Sequence, residues 1–339
     1  IITKNDLKGL TMNCNFKKIL IIKYGTISEI IDSLTIIKSL KNTYPEMEID
    51  YFTEEIPAKL LSFEKNINEI ISVENITFCE VFKSARTLKS KEYDATIDLN
   101  ASIKSYLLSL LIGANQTITV ENAQNIPPVK NYFKAISEKI EGLDFVEKAE
   151  IQIKQDLQDH VQTAIPTDKD FVVISTQTAK YSEGKKYRLN KFKELAEKIV
   201  KKYDVEVFFT GTADERRALE IFENINPKIH NFAGRFNIIE SAAFFKRAKC
   251  LIGIDSAPIY ISKSLSIPTI GLFGATSPEN KGFSGENTYT IKSRHLHCIP
   301  CGKSSCRLRN EEYTPCMDDI SVDEILQTIE QNGLLAIKS

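Results

Sequence analysis

The sequence predicts an α/β protein made of two doubly wound halves. Three observations carry this. Short apolar runs alternate with stretches of helical period along the chain; the alternation breaks over the polar, proline-marked stretch 152–169; and the same rhythm restarts after it. A length of 339 residues agrees with two domains, at roughly 150 residues each. The expected boundaries are an N-terminal domain over 14–165, a C-terminal domain over 166–320, and a terminal helix over 321–339 that packs back on the first domain.

The first half opens with Lys18–Ile22, an unbroken apolar run of the kind buried in a parallel sheet. After Gly25, the residues Ile27, Ile30, Ile31, Leu34, Ile37 and Leu40 recur at helical spacing until Pro45 stops them. Ile49–Phe52 and Asp94–Leu99 read as strands, and Ser102–Ile112 reads as a helix closed by Gly113. In the second half Phe171–Ser175 is a strand. Asn190 is expected to cap a helix whose buried face holds Phe192, Leu195, Ala196 and Ile199. Val205–Phe209 is the next strand, and Ala213–Asn224 and Ile238–Ala248 read as helices. Cys250–Ile254 is a strand leading into a helix near Ser256, and Thr269–Phe273 follows. Ser321–Glu330 opens with a capping box of Ser321 and Glu324.

Bulk properties exclude several classes. A net charge of −1 gives no global field for nucleic acid. The most apolar stretch, Tyr106–Ala114, is far too short to span a bilayer. No charged segment followed by an apolar one opens the chain, and Cys14, Cys79 and Cys250 are scattered singly among seven cysteines. Both points lead us to expect a reducing, cytoplasmic location. No Gly-x-Gly-x-x-Gly and no P-loop follows any strand, which argues against dinucleotide oxidoreductases and Walker-type ATPases.

Ligands of open α/β sheets sit at the carboxyl ends of the strands, so the segments just after strands carry the functional expectation. Glu29 falls in the first turn of a helix, where it either takes a proton from a hydroxyl or complements the helix dipole. Gly253-Ile-Asp-Ser-Ala-Pro258 opens a helix with backbone N–H groups at Asp255, Ser256 and Ala257, suited to a diphosphate; it also reads as an ordinary cap. Gly271-Leu-Phe-Gly-Ala-Thr-Ser-Pro278 is a small-residue turn that lets a ligand approach the backbone. Lys185, Lys186 and Glu215 read alone as solvated surface.

Together, and in this order, these stretches resemble glycosyltransferase family 9, the ADP-heptose:lipopolysaccharide heptosyltransferases. The resemblance also takes in Tyr93–Leu99, Lys104–Leu108, Lys185–Phe192 and Cys316–Ile320, and it runs from about Lys18 to Glu330. It implies a GT-B fold, two Rossmann-like domains facing a central cleft, and inverting transfer with no cofactor at the donor phosphates. It places Glu29 where the family has its catalytic Asp, and Lys185 where a lysine contacts donor phosphate. Glu215 falls near an acid associated with the ribose; Asp255, Ser256 and Ala257 match the phosphate-binding helix start; Thr276 matches a donor-side loop. Lys104 is expected to steer the acceptor, a saccharide or lipid-linked glycan of the cell envelope. Peripheral contact with the inner membrane is expected with it. The chain departs from the pattern at Ser28-Glu29 (commonly Gly-Asp), Asp32 (commonly His), Ala257 (commonly Gly) and Tyr260 (commonly His on the donor side), and in a Ser175–Ala179 turn lacking Pro-Gly. These departures motivate a rival reading, a GT-B relative that binds nucleotide or glycan without transfer. A GT-B epimerase is a third.

Cys298, Cys301, Cys306 and Cys316 gather four thiols within nineteen residues, with His295 and His297 nearby. A C-x2-C pair with two later thiols has metal-ligand character; a structural metal, a loop of reduced thiols and a local disulfide are the open readings, and the resemblance implies zinc or iron where a metal is held.

Overall fold

A computed structural model describes residues 16–121, 123, 126–176, 185–308 and 314–338. Cys14, residues 177–179 of the Ser175–Ala179 turn and Ser339 lie outside the described residues. The chain divides into two compact units, Ile1–Ala149 and Glu150–Ser339.

The first unit contains, in order, β1 (Lys18–Ile22), α1 (Ile27–Thr43), β2 (Glu48–Glu54), α2 (Glu55–Leu61), β3 (Glu69–Val73), α3 (Phe78–Lys89), β4 (Ala95–Asp98), α4 (Ile103–Ile112), β5 (Gln116–Thr119) and α5 (Pro128–Ser137). Its five strands form a parallel sheet in the order β3-β2-β1-β4-β5. The run Ile19–Ile22 is completely buried because both sheet faces are covered. On one face Leu20, Ile22 and Phe52 pack with Val81, Ala85 and Leu88 of α3 and with Leu108 and Ile112 of α4. Gly113 closes α4 in the left-handed conformation, at φ 70.

The second unit contains α6 (Gln155–Thr163), β6 (Phe171–Ser175), α7 (Leu189–Lys202), β7 (Glu206–Thr210), β8 (Ile229–Asn231), α8 (Ile238–Lys246), β9 (Cys250–Ile254), α9 (Ala257–Ser264), β10 (Thr269–Phe273), β11 (Thr288–Lys292), α10 (Pro315–Asp318) and α11 (Val322–Gln331). Its parallel sheet has the order β11-β10-β9-β6-β7-β8. Both sheets are doubly wound. The strand order reverses between β1 and β4 in the first and between β6 and β9 in the second, and ligands of this fold bind beyond the strand ends at such reversals.

Four expectations change. The unit boundary falls at 149/150, before the polar stretch, because that stretch contains α6, which packs on α8 and buries Val161. Ala213–Asn224 is not an α-helix but two 3-10 turns, Ala213–Glu215 and Ala218–Phe222. Arg188, not Asn190, is the cap residue of α7. The terminal helix α11 is part of the second unit: it packs on α7, and its apolar stripe, Val322, Ile325 and Ile329, lies in that unit's core.

Candidate functional site

In the first unit the chain leaves β1 at the sheet reversal through Lys23, Tyr24 and Gly25 and enters α1 at Thr26. Lys23 is buried, and its ammonium donates to Leu99 O at 3.4 Å. Glu29 stands at the third position of α1. Its Oε2 accepts the Thr26 N–H at 3.4 Å and pairs with Lys23 Nζ at 3.4 Å. The side chains are 5% and 36% exposed for Lys23 and Glu29, so the carboxylate faces solvent and its cation does not. Gly25 sits at φ +114, a conformation that favours glycine; a Cβ there would lie 2.9 Å from Glu29 Oε2, the mobile end of that side chain. Glu29 thus closes the start of α1 and leaves its carboxylate partly exposed.

Beside it at the end of β4, Asp98 is fully buried and accepts the N–H groups of Asn100 (2.9 Å) and Ala101 (3.1 Å). Its other oxygen has no partner among the described residues. Burial raises its pKa, against the opposing hydrogen bonds and the Lys23 charge. Asn100 clamps the Tyr24 backbone with two bonds, Tyr24 N–H to Oδ1 at 2.8 Å and Nδ2–H to Tyr24 O at 3.0 Å. None of Lys23, Asp98 and Asn100 stood out in the sequence. Their shared signal is position, each lying at or just past the end of a strand flanking the reversal. Lys104 is placed apart from this cluster: its ammonium donates to Ile76 O at 2.6 Å and lies over the Phe78 ring.

In the second unit the chain gathers three of the expected residues around the carboxylate of a fourth, just past the end of β9. Asp255, 5% exposed, accepts Lys185 Nζ at 2.8 Å, the Tyr260 hydroxyl at 2.7 Å and the Thr276 hydroxyl at 2.7 Å. Burial pushes its pKa up, but the Lys185 charge and the three hydrogen bonds outweigh burial and hold it below the ordinary value. Asp255 and Tyr260, both buried, therefore support Lys185, which keeps 22% of its side chain exposed. Tyr260, in place of a histidine, is a donor to Asp255. Ser256 starts α9, but its hydroxyl turns back to Ile254 O at 3.2 Å, so no side chain caps the helix entered at Ala257. The loop carrying Lys185 is pinned by Arg188, which pairs with Asp318, and by Lys191, which donates to Ile320 O at 3.0 Å.

Thr276 and Ser277 also line an open pocket of about 350 Å³ with Lys292, Ser293 and Arg294. The last three lie at the end of β11, a strand too polar to be read from the sequence. Gly271 is a packing glycine, not a point of ligand approach: a Cβ there would meet Phe273 and Phe283 at 2.7 Å. Glu215 turns its Oε2 onto Thr212, to the N–H at 2.8 Å and the hydroxyl at 3.0 Å.

Cys298, Cys301, Cys306 and Cys316 do line one small pocket. Among the described residues, however, no three His, Cys, Asp or Glu are placed to share an ion. Cys298 and Cys301 are exposed, whereas Cys316 is buried within α10 against Thr314 Oγ1 at 3.6 Å, and burial raises its thiol pKa. The expected tetrahedral set is not assembled. The cysteine loop is instead fixed to the Thr276 turn through Gly302 N–H and Ala275 O at 2.7 Å.

Comparison with known proteins agrees with the geometry. Residues 81–311 match the model of glycosyltransferase family 9 (heptosyltransferase). The chain is 23% identical to the lipopolysaccharide core heptosyltransferase OpsX of Haemophilus influenzae, over 77% of this chain and 80% of that protein. Two solved structures share the fold. The ADP-heptose lps heptosyltransferase II of E. coli aligns at 19% identity and a TM-score of 0.76, covering 94% of this chain and 98% of that one. The family 9 glycosyltransferase of Veillonella parvula aligns at 17% and 0.80, covering 95% and 98%. The chain belongs to glycosyltransferase family 9; it is a glycosyltransferase of the GT-B fold, with two Rossmann-like domains.

Proposed function

We propose that this family 9 glycosyltransferase moves a heptose-type sugar from ADP-heptose to a hydroxyl of a saccharide or lipid-linked glycan in cell-envelope polysaccharide synthesis, at the cytoplasmic face of the membrane. The observation that carries the reading is the Lys185–Asp255 pair beside the uncapped start of α9, where the second sheet reverses. Donor phosphate would lie against Lys185 and the first N–H groups of α9, at Ser256 and Ala257, within reach of the Thr276 turn. Glu29 of the first unit would take the proton of the acceptor hydroxyl as its oxygen attacks the anomeric carbon. The bond from that carbon to the phosphate oxygen breaks on the opposite side, so configuration inverts and ADP leaves with the electron pair. Lys185 offsets the charge that develops on ADP.

The relatives' names, among them an ADP-heptose lps heptosyltransferase, support the choice of donor and pathway. The Lys185–Asp255–Tyr260–Thr276 network supports a working donor site. Titration calorimetry with ADP and UDP is the direct test. ADP should bind and UDP should bind at least tenfold more weakly, and Lys185→Met should weaken ADP. Binding of neither nucleotide at millimolar concentration rules the donor assignment out.

A further inference from the structure

Helix α4 has an unusual surface. Its sequence is Ile-Lys-Ser-Tyr-Leu-Leu-Ser-Leu-Leu-Ile, and it is apolar on both faces. Leu108 and Ile112 fill the core, yet Ile103 (79%), Tyr106 (58%) and Leu110 (62%) are exposed at successive turns on the opposite side. A helix apolar all round belongs in a core or against something that covers it. The neighbouring helix α3 continues the surface with Phe78 (51%) and Phe82 (55%), one turn apart. The two helices pack together on one face of the first sheet, and Lys104 of α4 lies over the Phe78 ring at 5.7 Å. Five large apolar side chains are exposed on these two adjacent helices, more than scattered surface residues explain.

The charges around the patch select its occupant. Lys83, Arg86 and Lys89 of α3 and Lys104 of α4 stand against a single acid on these helices, Glu80, which pairs with Lys83 at 2.7 Å. The chain as a whole carries a net −1, so this cationic excess is local. Apolar side chains next to Lys and Arg fit the interface of an anionic lipid bilayer, where the rings and aliphatic groups enter the headgroup region and the cations meet phosphates. Among the described residues no helix is long and apolar enough to cross a membrane, so such contact lies on the surface.

We propose that the exposed face of α3 and α4 docks this protein on an anionic lipid bilayer. It deepens the proposed location at the membrane face by naming the surface that makes the contact, and it stands or falls separately from the donor and acceptor assignments.

The test is co-sedimentation of the full chain with vesicles of phosphatidylcholine alone and of phosphatidylcholine with phosphatidylglycerol. Binding to the anionic vesicles is expected to exceed binding to the neutral ones by at least tenfold and to fall with added salt. Tyr106→Ser with Leu110→Ser should reduce the partition coefficient at least tenfold. Arg86→Glu with Lys89→Glu should also reduce it, by about fivefold for each cation removed. All four residues are exposed, so the thermal melts should match the parent. Absence of binding to anionic vesicles overturns the proposal, as does equal binding to both compositions. A concentration-dependent dimer in light scattering, abolished by the Tyr106 and Leu110 changes in a chain that ignores vesicles, would give the patch to a second copy instead.

Discussion

Each unit places a lysine–carboxylate pair at the reversal of its sheet, and the two pairs are mirror images in exposure. In the first unit the lysine is inside and the acid outside: Lys23 is 5% exposed, Glu29 is 36% exposed, and they stand 3.4 Å apart. In the second the acid is inside and the lysine outside: Asp255 is 4% exposed, Lys185 is 22% exposed, at 2.8 Å. One arrangement presents a carboxylate to solvent and the other an ammonium. A Rossmann-like reversal therefore does not dictate the sign of the group it presents; the choice of which partner is buried does.

Five substitutions test this comparison, the largest effect first. Glu29→Gln keeps shape and loses the anion, so kcat should fall about 10²–10⁴-fold with KM nearly unchanged. Steady-state ADP release measures it; near-parental turnover would leave the outward acid without a chemical role. Lys185→Met removes the outward cation. Here kcat/KM should fall roughly 10²–10³-fold, with weaker ADP binding by calorimetry, the split that Glu29→Gln lacks.

Asp255→Asn strips the buried anion and leaves Lys185 without its counter-charge, which should destabilise the fold by about 3 kcal/mol in urea unfolding. The sign of its pH dependence follows from the lowered pKa. The Asp255 contribution is fully present above its ordinary pKa of 3.8 and is lost as pH falls through its lower folded value. The gap between parent and variant should therefore be constant from neutral pH to about pH 5 and close only at lower pH. A gap that widened on acidification would contradict the pairing.

The smallest effects concern the two glycines before the capping acids. Gly25→Ala must adopt φ +114, and should reduce stability by about 1–3 kcal/mol. Gly211 shows no positive φ, and its closest neighbour at 2.9 Å is the far end of Glu215, so Gly211→Ala should change stability by less than about 1 kcal/mol. Equal losses in thermal melts would remove the distinction.

Much of the fold was legible because parallel strands announce themselves. Lys18–Ile22, Phe171–Ser175, Cys250–Ile254 and Thr269–Phe273 are continuous apolar runs, and all four match observed strands end to end. Polar edge strands such as β11 carry no such signal. Leu219 and Phe222 are buried at a spacing of three, which suits a 3-10 turn as well as an α-helix, so the misreading there is one of period. An apolar stripe on α11 says that the helix is covered but not by what. In the site, Lys185, Asp255, Tyr260 and Thr276 were named individually, yet nothing in their spacing showed that Asp255 is their common centre. Lys23 was invisible because a lysine at a strand end reads as surface; only the structure shows it buried.

The strap across the Lys185 loop sets an order on the chain's own completion. Arg188 is held by Asp318, 130 positions later, and Ser293 is held by Asp319 through a 2.6 Å bond. During synthesis the first unit can fold as soon as it emerges. The loop that presents Lys185 acquires its anchor only once the chain has been made through Asp318. A nascent chain that stops short of Asp318 lacks that anchor, so the loop is completed by residues made long after it.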